Sequence, residues 1–437
     1  MNIIIHRGSH EIGGSCVEIR SDRNRILVDL GLPLTTVGNN DSGDGELEKL
    51  SGEELLKKGW LPDIEGIYAW DKRSSSIDAV VLSHPHLDHY GFIKYLKDQV
   101  PIYMGEAAKD LIQTASVFTS FPQNVPKNAI AIQHRKRLTI GDFIITPYLM
   151  DHSAFDAYAF LIESGGKRVF YSGDFRSHGR KAKMFDWLVS RGPTGVDALL
   201  MEGTVLGSSR ITAVTESDIE RACIDRIQRT GNSIVLAYSS SQNIDRLVTF
   251  YRAVLQTGRL FVIDVYTATI LDCLKKYSKV PYPSKQYSKL KVLFTRWQCD
   301  RLKWQGNENI MYKFKNYKIT KEDIAAHPER ICLLVRPSIK TDLEKIDGLE
   351  GGALIYSMWE GYLEQPYIKA FKLYMKDRGV SWHNIHTGGH ATLDALKKMV
   401  ERLQPKVLVP IHTQEPGEYS KYFSRVKIVK DKELFTV

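Results

Sequence analysis

The sequence predicts a two-domain α/β protein, because the chain is long and because short apolar strands alternate with helical segments along it. At 437 residues it exceeds what a single hydrophobic core usually serves, so two domains are expected. Strands that alternate with helices are typical of α/β folds. No apolar run approaches the roughly 20 residues that a membrane helix needs. Because the N-terminal residues also lack a charged leader with a cleavage site, we expect a cytoplasmic protein that does not engage a membrane.

Apolar strands and the loops after them organise the first domain. The stretch 79–82 is predicted as a buried strand bounded by polar residues. The segment 91–96 is predicted as a helix that leaves the loop following this strand. That loop carries the most informative residues of the chain.

Three imidazoles and one carboxylate occupy six residues of this loop. They are His84, His86, Asp88 and His89. Alternation along the extended part directs the first two histidines to one side, and the following turn brings the aspartate and the last histidine to a neighbouring point. Imidazole and carboxylate groups suit zinc and related metals, whereas an ordinary solvated turn requires none of them together. We therefore predict two adjacent metal positions.

The spacing His-x-His-x-Asp-His in this loop resembles the signature of the metallo-β-lactamase-fold hydrolases. Upstream of the loop, residues 26–31 match that family's early strand, which ends in Asp29. Downstream, further residues of the family's pattern follow in the expected order. His152 comes after an apolar-rich stretch, and Asp174 comes at the end of a strand predicted at 168–171. Either residue alone would more readily be explained as structural, but their order along the chain agrees with the family. The resemblance implies an αββα sandwich for the first domain.

Two histidine motifs near the C-terminal end resemble those of the β-CASP branch of this family, and particularly those of RNase J-like ribonucleases. The first motif contains His386 and His390, and the second ends in His412. Glu202, which follows an apolar strand, matches the acidic motif of that branch. The resemblance implies an α/β fold that consists of a metallo-β-lactamase αββα sandwich with an inserted α/β β-CASP domain.

The predicted domain boundaries follow a change in the sequence near residue 208. From there, helices at 216–229 and 242–257 alternate with short apolar strands at 233–238 and 260–264, which favours a parallel sheet. The predicted divisions are the first part of the metallo-β-lactamase domain, the β-CASP insert and the C-terminal completion of the first domain, at 1–207, 208–381 and 382–437.

The family resemblance implies a role for each metal-binding candidate. It assigns His84, His86 and His152 to one metal. It assigns Asp88, His89 and His412 to the other metal, with Asp174 bridging the two. The imidazole-rich set favours two divalent metal ions, predicted to be Zn²⁺ with Mn²⁺ as the alternative. Such ions can lower the pKa of water to about 7, so the resemblance implies a two-metal-activated hydroxide.

The catalytic candidates are Asp88, Glu202 and His390. The resemblance implies that His390 is oriented by Glu202 and protonates the leaving oxygen. Glu202 could instead be a carboxylate at a helix start, where the helix dipole would favour it. The substrate-binding candidates are Ser239, Ser240, Ser241, His386 and His390, because the three serines resemble the polar phosphate-contact loop of the inserted domain.

Positive charge is concentrated in one part of the predicted insert. The chain has a formal net charge of +9, and residues 273–318 contain twelve basic and only two acidic side chains. Nine aromatic residues are interleaved with these basic residues. Basic side chains can neutralise phosphates while aromatic rings stack on unpaired bases, as in a groove that binds a single strand. An aromatic layer half-buried under a solvated lysine surface is an equally good interpretation at this stage.

These features predict a metal-dependent nuclease that hydrolyses phosphodiester bonds of single-stranded RNA, as a 5′ exonuclease, an endonuclease or both. A DNA nuclease of the same family, with single-stranded DNA as partner, is the main alternative, because the metal-binding motifs do not distinguish the 2′ hydroxyl. A small-molecule metallohydrolase would not explain the large insert. An inert RNA-binding scaffold would not explain why every ligand is retained. Homo-oligomerisation is left open.

Charge reversal at Lys285, Lys289 and Lys291 tests the groove interpretation. Replacing these lysines with glutamate should weaken nucleic-acid binding in a salt-dependent way, because fewer phosphates would be neutralised. Binding is measured at several salt concentrations. Unchanged affinity at low salt would rule out the groove.

Overall fold

The computed structural model describes residues 1–34, 50–119, 125, 129–207 and 214–437. The chain divides into two compact units, of which the second comprises residues 117–119 and 214–388 and the first comprises the remainder. The predicted boundary at residue 208 lies outside the described residues. Among the helices of the described ranges, none is both long and apolar enough to cross a membrane.

The strands are numbered in chain order along the described residues. Their bounds are β1 Asn2–Arg7, β2 Cys16–Arg20, β3 Arg25–Val28, β4 Ala79–Val81, β5 Ile102–Gly105, β6 Ile130–Ile132, β7 Leu138–Ile140, β8 Phe143–Leu149, β9 Tyr158–Ser164, β10 Lys167–Tyr171, β11 Ala198–Glu202, β12 Val235–Tyr238, β13 Leu260–Asp264, β14 Leu290–Leu293, β15 Lys318–Ile319, β16 Ile331–Leu334, β17 Ala353–Tyr356, β18 Ser381–Asn384, β19 Val407–Ile411 and β20 Leu434–Thr436.

The α-helices are numbered in the same way. Their bounds are α1 Gly52–Lys57, α2 Leu87–Tyr90, α3 Glu106–Ser116, α4 Ala182–Arg191, α5 Glu216–Arg229, α6 Ile244–Thr257, α7 Val265–Leu274, α8 Arg296–Trp304, α9 Glu308–Tyr312, α10 Lys321–Ala326, α11 Lys340–Leu343, α12 Pro366–Asp377 and α13 Leu393–Leu403. Short 3₁₀ helices lie at Ile93–Tyr95, Lys315–Tyr317, Pro328–Arg330, Pro337–Ile339, Glu360–Glu364 and Pro416–Lys421.

The first unit is a sandwich of two mixed sheets. One sheet has the order β20-β1-β2-β3-β4-β5-β6, and the other has the order β19-β11-β10-β9-β8-β7. Apolar side chains from both sheets, such as Val28, Val81, Phe160 and Leu200, belong to one buried core. Alternation along each strand gives the sheets a second apolar face that must be covered.

Helices cover both outer faces of this sandwich. On the first sheet, Leu27 and Val80 pack with Leu55 of α1 and Ile112 of α3. On the second sheet, the outward apolar side chains pack with residues of α4 and α13, including Phe185 and Leu396. The layers therefore run helix, sheet, sheet, helix, which confirms the predicted αββα sandwich.

The second unit contains one parallel sheet with helices between its strands. Its order is β15-β14-β13-β16-β12-β17-β18, and each adjacent pair is parallel. Strands β12, β13, β16 and β17 are almost wholly buried. Such continuous apolar strands are typical of a sheet covered on both faces. The predicted α/β insert is confirmed as a fold.

The loop after β4 differs from its predicted structure. A helix was expected at 91–96, but α2 ends before Gly91 and a separate 3₁₀ turn follows at Ile93–Tyr95. The N–H of Phe92 donates to Leu30 O instead of continuing the helix. Phe92 and Ile93 are buried in the core, so tertiary contacts override the local helical tendency of this segment.

Candidate metal centre

The predicted ligands follow directly after strands of the first unit. The histidine-rich loop follows β4, while His152, Asp174 and His412 follow β8, β10 and β19. Strand β11 ends in Glu202 and is parallel to both β10 and β19. The carboxyl ends of parallel neighbouring strands lie at one edge of a sheet. Residues that are up to about three hundred positions apart in the sequence therefore converge.

The predicted ligands form two groups that are close enough to hold metal ions. In each group, one ligand atom per residue lies within 4.8 Å of every other. The first group contains His84, His86 and His152. The second contains Asp88, His89, Asp174 and His412. The structure thus brings together the residues that the family resemblance assigns to the two metals, and Asp174 Oδ2 also lies 3.8 Å from His84 Nε2 in the first group.

Backbone hydrogen bonds hold the histidine-rich loop against the segment that follows β3. The N–H of Leu30 donates to His89 O at 2.8 Å, and the N–H of Leu32 donates to Leu87 O at 2.9 Å. Between them, Gly31 faces the loop so closely that an added Cβ would lie 1.7 Å from Asp88 O. The position of the loop is thus fixed by main-chain contacts as well as by its own sequence.

Four histidines have their Nδ1 atom fixed by a contact with another residue of the unit. The Nδ1 contacts are His84 to Ser83 Oγ at 3.0 Å, His89 to Asp29 Oδ2 at 2.8 Å, His152 to Gly389 O at 2.6 Å and His412 to Thr204 Oγ1 at 2.9 Å. The Asp29 carboxylate and the Gly389 carbonyl can only accept the Nδ1 proton, and the two hydroxyls are also within hydrogen-bond distance of Nδ1, so Nε2 of each ring is left to act as the ligand. Metal-binding histidines are oriented by partners of this kind.

Several inward-facing atoms of the cluster are buried without a hydrogen bond. They include His84 Nε2, His89 Nε2 and both carboxylate oxygens of Asp174. His89 Nε2 lies 3.3 Å from Asp174 Oδ2, but without hydrogen-bond geometry. Buried polar atoms are normally satisfied, so these four call for a ligand. Nitrogen and carboxylate donors fit divalent cations such as zinc.

The electrostatics of the two groups differ. Burial lowers the pKa of His84 and of His152, and it lowers that of His86 to about 4. For His89, burial alone would lower the pKa, but neighbouring carboxylates, of which Asp174 contributes most, outweigh it and raise the pKa. The first group therefore offers neutral imidazoles, and the second balances positive against negative charge.

Glu202 and His390 form a pair beside the second group. Glu202 is buried, and its Oε1 accepts hydrogen bonds from the N–H groups of Phe175 and Ala391, each at 3.1 Å. Its Oε2 lies 3.2 Å from His390 Nδ1, which is also 3.7 Å from Asp174 Oδ2. Burial opposes protonation of His390, but Glu202 and Asp174 raise its pKa to about 9. These two side chains, with Asp174 and His412, also form a third group with metal-ligand spacing.

The remaining predicted residues belong to the second unit. Ser239, Ser240 and Ser241 follow β12, and Ser239 Oγ is buried without a hydrogen bond. Ser241 Oγ contacts Thr267 Oγ1 at 2.7 Å and accepts a hydrogen bond from Arg336 Nη2 at 2.7 Å.

The last predicted residue, His386, is also in the second unit, and its Nδ1 lies 3.3 Å from Nη1 of the buried Arg246. Arg246 also donates to Ser357 O at 3.3 Å and to Thr387 O at 3.2 Å.

Sequence reasoning missed three residues that bear on these sites. Asp29 had been recognised only as the end of an early strand, yet it accepts hydrogen bonds from the N–H and hydroxyl of Ser83 and from Tyr171. Thr204, two residues after Glu202, contacts His412. Arg336, two residues after β16, contacts the serine loop. A polar residue close behind a buried strand was the available signal in each case.

With this geometry established, the chain has the metallo-β-lactamase fold. Residues 68–237 match the family model described as Beta-lactamase superfamily domain. A crystal structure of a protein of unknown function from Enterococcus faecalis V583 has a TM-score of 0.81 at 18% identity, and the alignment covers 100% of this chain and 99% of that one.

Among curated proteins, the chain resembles Ribonuclease J. It is 23% identical to Ribonuclease J of Helicobacter pylori (strain ATCC 700392 / 26695) over 425 residues, which cover 94% of this chain and 55% of that protein. It is 24% identical to Ribonuclease J of Pyrococcus abyssi (strain GE5 / Orsay) over 429 residues, which cover 93% of this chain and 88% of that protein. The chain therefore spans about half the length of its Helicobacter pylori relative.

Replacing Asp29 with asparagine should weaken metal binding without removing a ligand. The neutral amide orients the ring of His89 less strongly, and loss of such a partner typically costs about 10- to 100-fold in metal affinity. Zn²⁺ affinity is measured by competition with a chelator. Asp63→Asn, at an exposed position outside the cluster, is the matched control. Equal affinities for the two variants would contradict the role given to Asp29.

Replacing Gly31 with alanine should displace the histidine-rich loop, because the new methyl group would overlap the Asp88 carbonyl. We expect a loss of about 2 kcal/mol or more in the free energy of unfolding, as for overpacked sites, together with reduced metal content. Gly417→Ala is the control, since a Cβ there meets no atom within 4 Å. Chemical denaturation and elemental analysis measure both effects. A Gly31→Ala protein that is as stable and as metal-loaded as the control would refute the close contact.

Proposed function

We propose that this chain is a metal-dependent nuclease that hydrolyses phosphodiester bonds of single-stranded RNA. The observation that carries the proposal is the Glu202–His390 pair beside the ligand cluster, because it adds a positioned proton donor to a candidate two-metal site. The names of the relatives support RNA as the substrate, since two of them are called Ribonuclease J. DNA is the competing substrate within the same chemistry.

The proposed metal ligands are the two groups described above, with Zn²⁺ as the proposed ion and Mn²⁺ as the alternative. Asp174 is the proposed bridging ligand, because it lies close to His84 of one group and to His89 of the other. When bound, two such cations lower the pKa of a water and neutralise the charge that develops on a phosphate.

The proposed role of His390 is to protonate the leaving oxygen. Its Nδ1 faces the Glu202 carboxylate, so Nε2 is the ring nitrogen left for a substrate. The His390 side chain is 25% exposed, whereas Glu202 is almost fully buried. Backbone N–H groups of Phe175 and Ala391 hold the Glu202 carboxylate in place, and it in turn orients the imidazole. Glu202 is therefore proposed as a positioning residue.

The serine loop is proposed to contact a substrate phosphate. It follows a parallel strand, and ligands of α/β sheets bind outside the carboxyl ends of such strands. Ser239 offers a buried hydroxyl without a hydrogen bond. Arg336 is paired through Nη2 with Asp264 at 2.9 Å, but its buried Nε has no hydrogen bond and remains a donor. Hydroxyl and guanidinium donors suit phosphate oxygens. Ser240, which is half-buried, and His386 are retained as proposed substrate contacts.

The basic segment 273–318 has features of a groove that binds a single strand and also of an aromatic layer buried under lysines. Phe314 is buried in the second unit, as an aromatic core layer requires. In contrast, Trp304, Tyr312 and Trp297 are 83%, 64% and 47% exposed. Exposed aromatic rings among lysines favour stacking on unpaired bases. We propose that these three rings contribute to binding single-stranded RNA. A cytoplasmic location and a homo-oligomeric state stay predictions.

Paired alanine substitutions at Asp88 and His89 test the nuclease directly. Removing two proposed ligands should abolish cleavage and lower the metal content, because the second group would keep only Asp174 and His412. Matched single-stranded RNA and DNA, labelled at either end, are the substrates. The control variant carries Asp347→Ala and His327→Ala, two exposed positions in the second unit. Mononucleotide release from the 5′ label would identify an exonuclease, and internal fragments an endonuclease.

Four results of this experiment would count against the proposal. A double variant that keeps full activity would refute the metal assignment. Preferential cleavage of DNA would identify DNA, and not RNA, as the substrate. Binding of RNA without cleavage of either nucleic acid by the metal-loaded protein would favour an inert scaffold. Neither binding nor cleavage would favour a small-molecule hydrolase.

A further inference from the structure

A cavity of about 440 Å³ lies within the second unit, along strand β18. Its lining includes Arg226 of α5, Lys372 of α12 and the consecutive residues Trp382, His383 and Asn384 of β18. Small-molecule sites commonly have volumes of about 300–1,000 Å³. None of these residues belongs to the metal centre or to the serine loop.

The cavity contains main-chain groups because β18 is an edge strand. Within the described residues, β18 pairs with β17 alone. The N–H groups of Ser381 and Ile385 point toward that neighbour, where they donate to Gly352 O at 2.9 Å and to Tyr356 O at 3.0 Å. Main-chain groups alternate in direction along a strand. Those of Trp382 and Asn384 therefore point to the open edge, where a ligand can reach them.

The charge of the cavity is positive. Neither Arg226 nor Lys372 forms an ion pair with another described residue, and they approach β18 from two different helices. The single carboxylate of the lining, Asp225, is already paired with Arg229 at 2.8 Å. Lys372 also interacts electrostatically with Glu364, which is outside the lining. Together with Arg226, which has no ion pair among the described residues, it favours an anionic ligand, and guanidinium groups suit phosphate in particular.

An aromatic surface lies next to these cations. The Trp382 ring is half-buried and packs on Tyr356, with ring centroids 5.1 Å apart. Its Nε1 donates to Asn384 Oδ1 at 3.0 Å, which fixes the plane of the indole. Lys372 Nζ lies 5.7 Å from the ring centroid. A fixed, partly exposed indole is a stacking surface for a planar ring.

We propose that this cavity binds a nucleotide unit, with its phosphate held by Arg226 and Lys372 and its base stacked on Trp382. The open main-chain groups and the Nδ2 of Asn384 are available to the base edge. The unit can come from a free nucleoside monophosphate or from a nucleotide within a single-stranded RNA. The proposal does not depend on cleavage, so it can fail or succeed independently of the metal centre.

Binding of adenosine 5′-monophosphate to the full chain tests the proposal. Isothermal titration in EDTA keeps cations out of the metal centre. Saturable binding is expected, and Arg226→Glu combined with Lys372→Glu should weaken it at least about tenfold by removing both phosphate contacts. The matched control is Arg221→Glu with Lys376→Glu, which makes the same charge changes at exposed positions on the same two helices. Trp382→Phe, which keeps an aromatic ring, should weaken binding less than Trp382→Ala does.

Titrations with further ligands show whether the bound unit is a free nucleotide or part of an RNA. They also separate the phosphate contact from base stacking. Inorganic phosphate and a short oligoadenylate are titrated in parallel. Binding of the monophosphate identifies a free-nucleotide site, whereas binding of the oligoadenylate alone, with the same sensitivity to the Arg226 and Lys372 changes, identifies an RNA contact. Inorganic phosphate that binds as tightly as the monophosphate would overturn the stacking on Trp382. Equal losses of affinity in the test and control variants, or no binding of any ligand, would refute the proposed nucleotide site.

Discussion

The concentration of ionisable groups at the strand ends of the sandwich is the constraint on which the rest of the first unit depends. Asp174, His84, His89 and His412 are nearly inaccessible to solvent, and several of their polar atoms have no hydrogen bond. Burial of charged groups without compensation is costly. A divalent cation would satisfy the inward-facing nitrogens and oxygens together, so metal binding and the stability of this region should be coupled.

The sandwich supplies the orientation that such a cluster needs. Three of the imidazoles are held through Nδ1 by a group from a different part of the unit, namely Asp29 after β3, Thr204 after β11 and Gly389 before α13. Because these contacts come from both sheets and from the returning C-terminal segment, no short stretch of chain can form the site alone. The geometry is thus a property of the packed sandwich.

The histidine-rich loop could be predicted because its signal is local, since the density and spacing of its imidazoles and carboxylate identify it. The αββα layers were implied by the family resemblance and not by the strand pattern alone. Asp29 was underestimated because its role is to accept the Nδ1 proton of a residue 60 positions away. Arg336 was missed because its partner Ser241 lies on a different strand end. The predicted helix at 91–96 was wrong because Phe92 leaves the helical path to pair with Leu30. Contacts between distant residues decide all three cases.

The proposed ligands and the proposed substrate contacts lie in different units, which bears on how substitutions could alter substrate selectivity. Every proposed metal ligand, together with Glu202 and His390, belongs to the first unit, whereas the serine loop, Arg336 and the exposed aromatic residues belong to the second. Substitutions in the second unit can alter affinity for a strand while leaving the buried ligand cluster unchanged. A site that depends on desolvated, oriented ligands tolerates few substitutions, whereas surface residues that contact phosphates and bases tolerate many more. For the proposed nuclease, the same ligand cluster could therefore act on different nucleic acids, and the second unit is where selectivity between RNA and DNA should be sought.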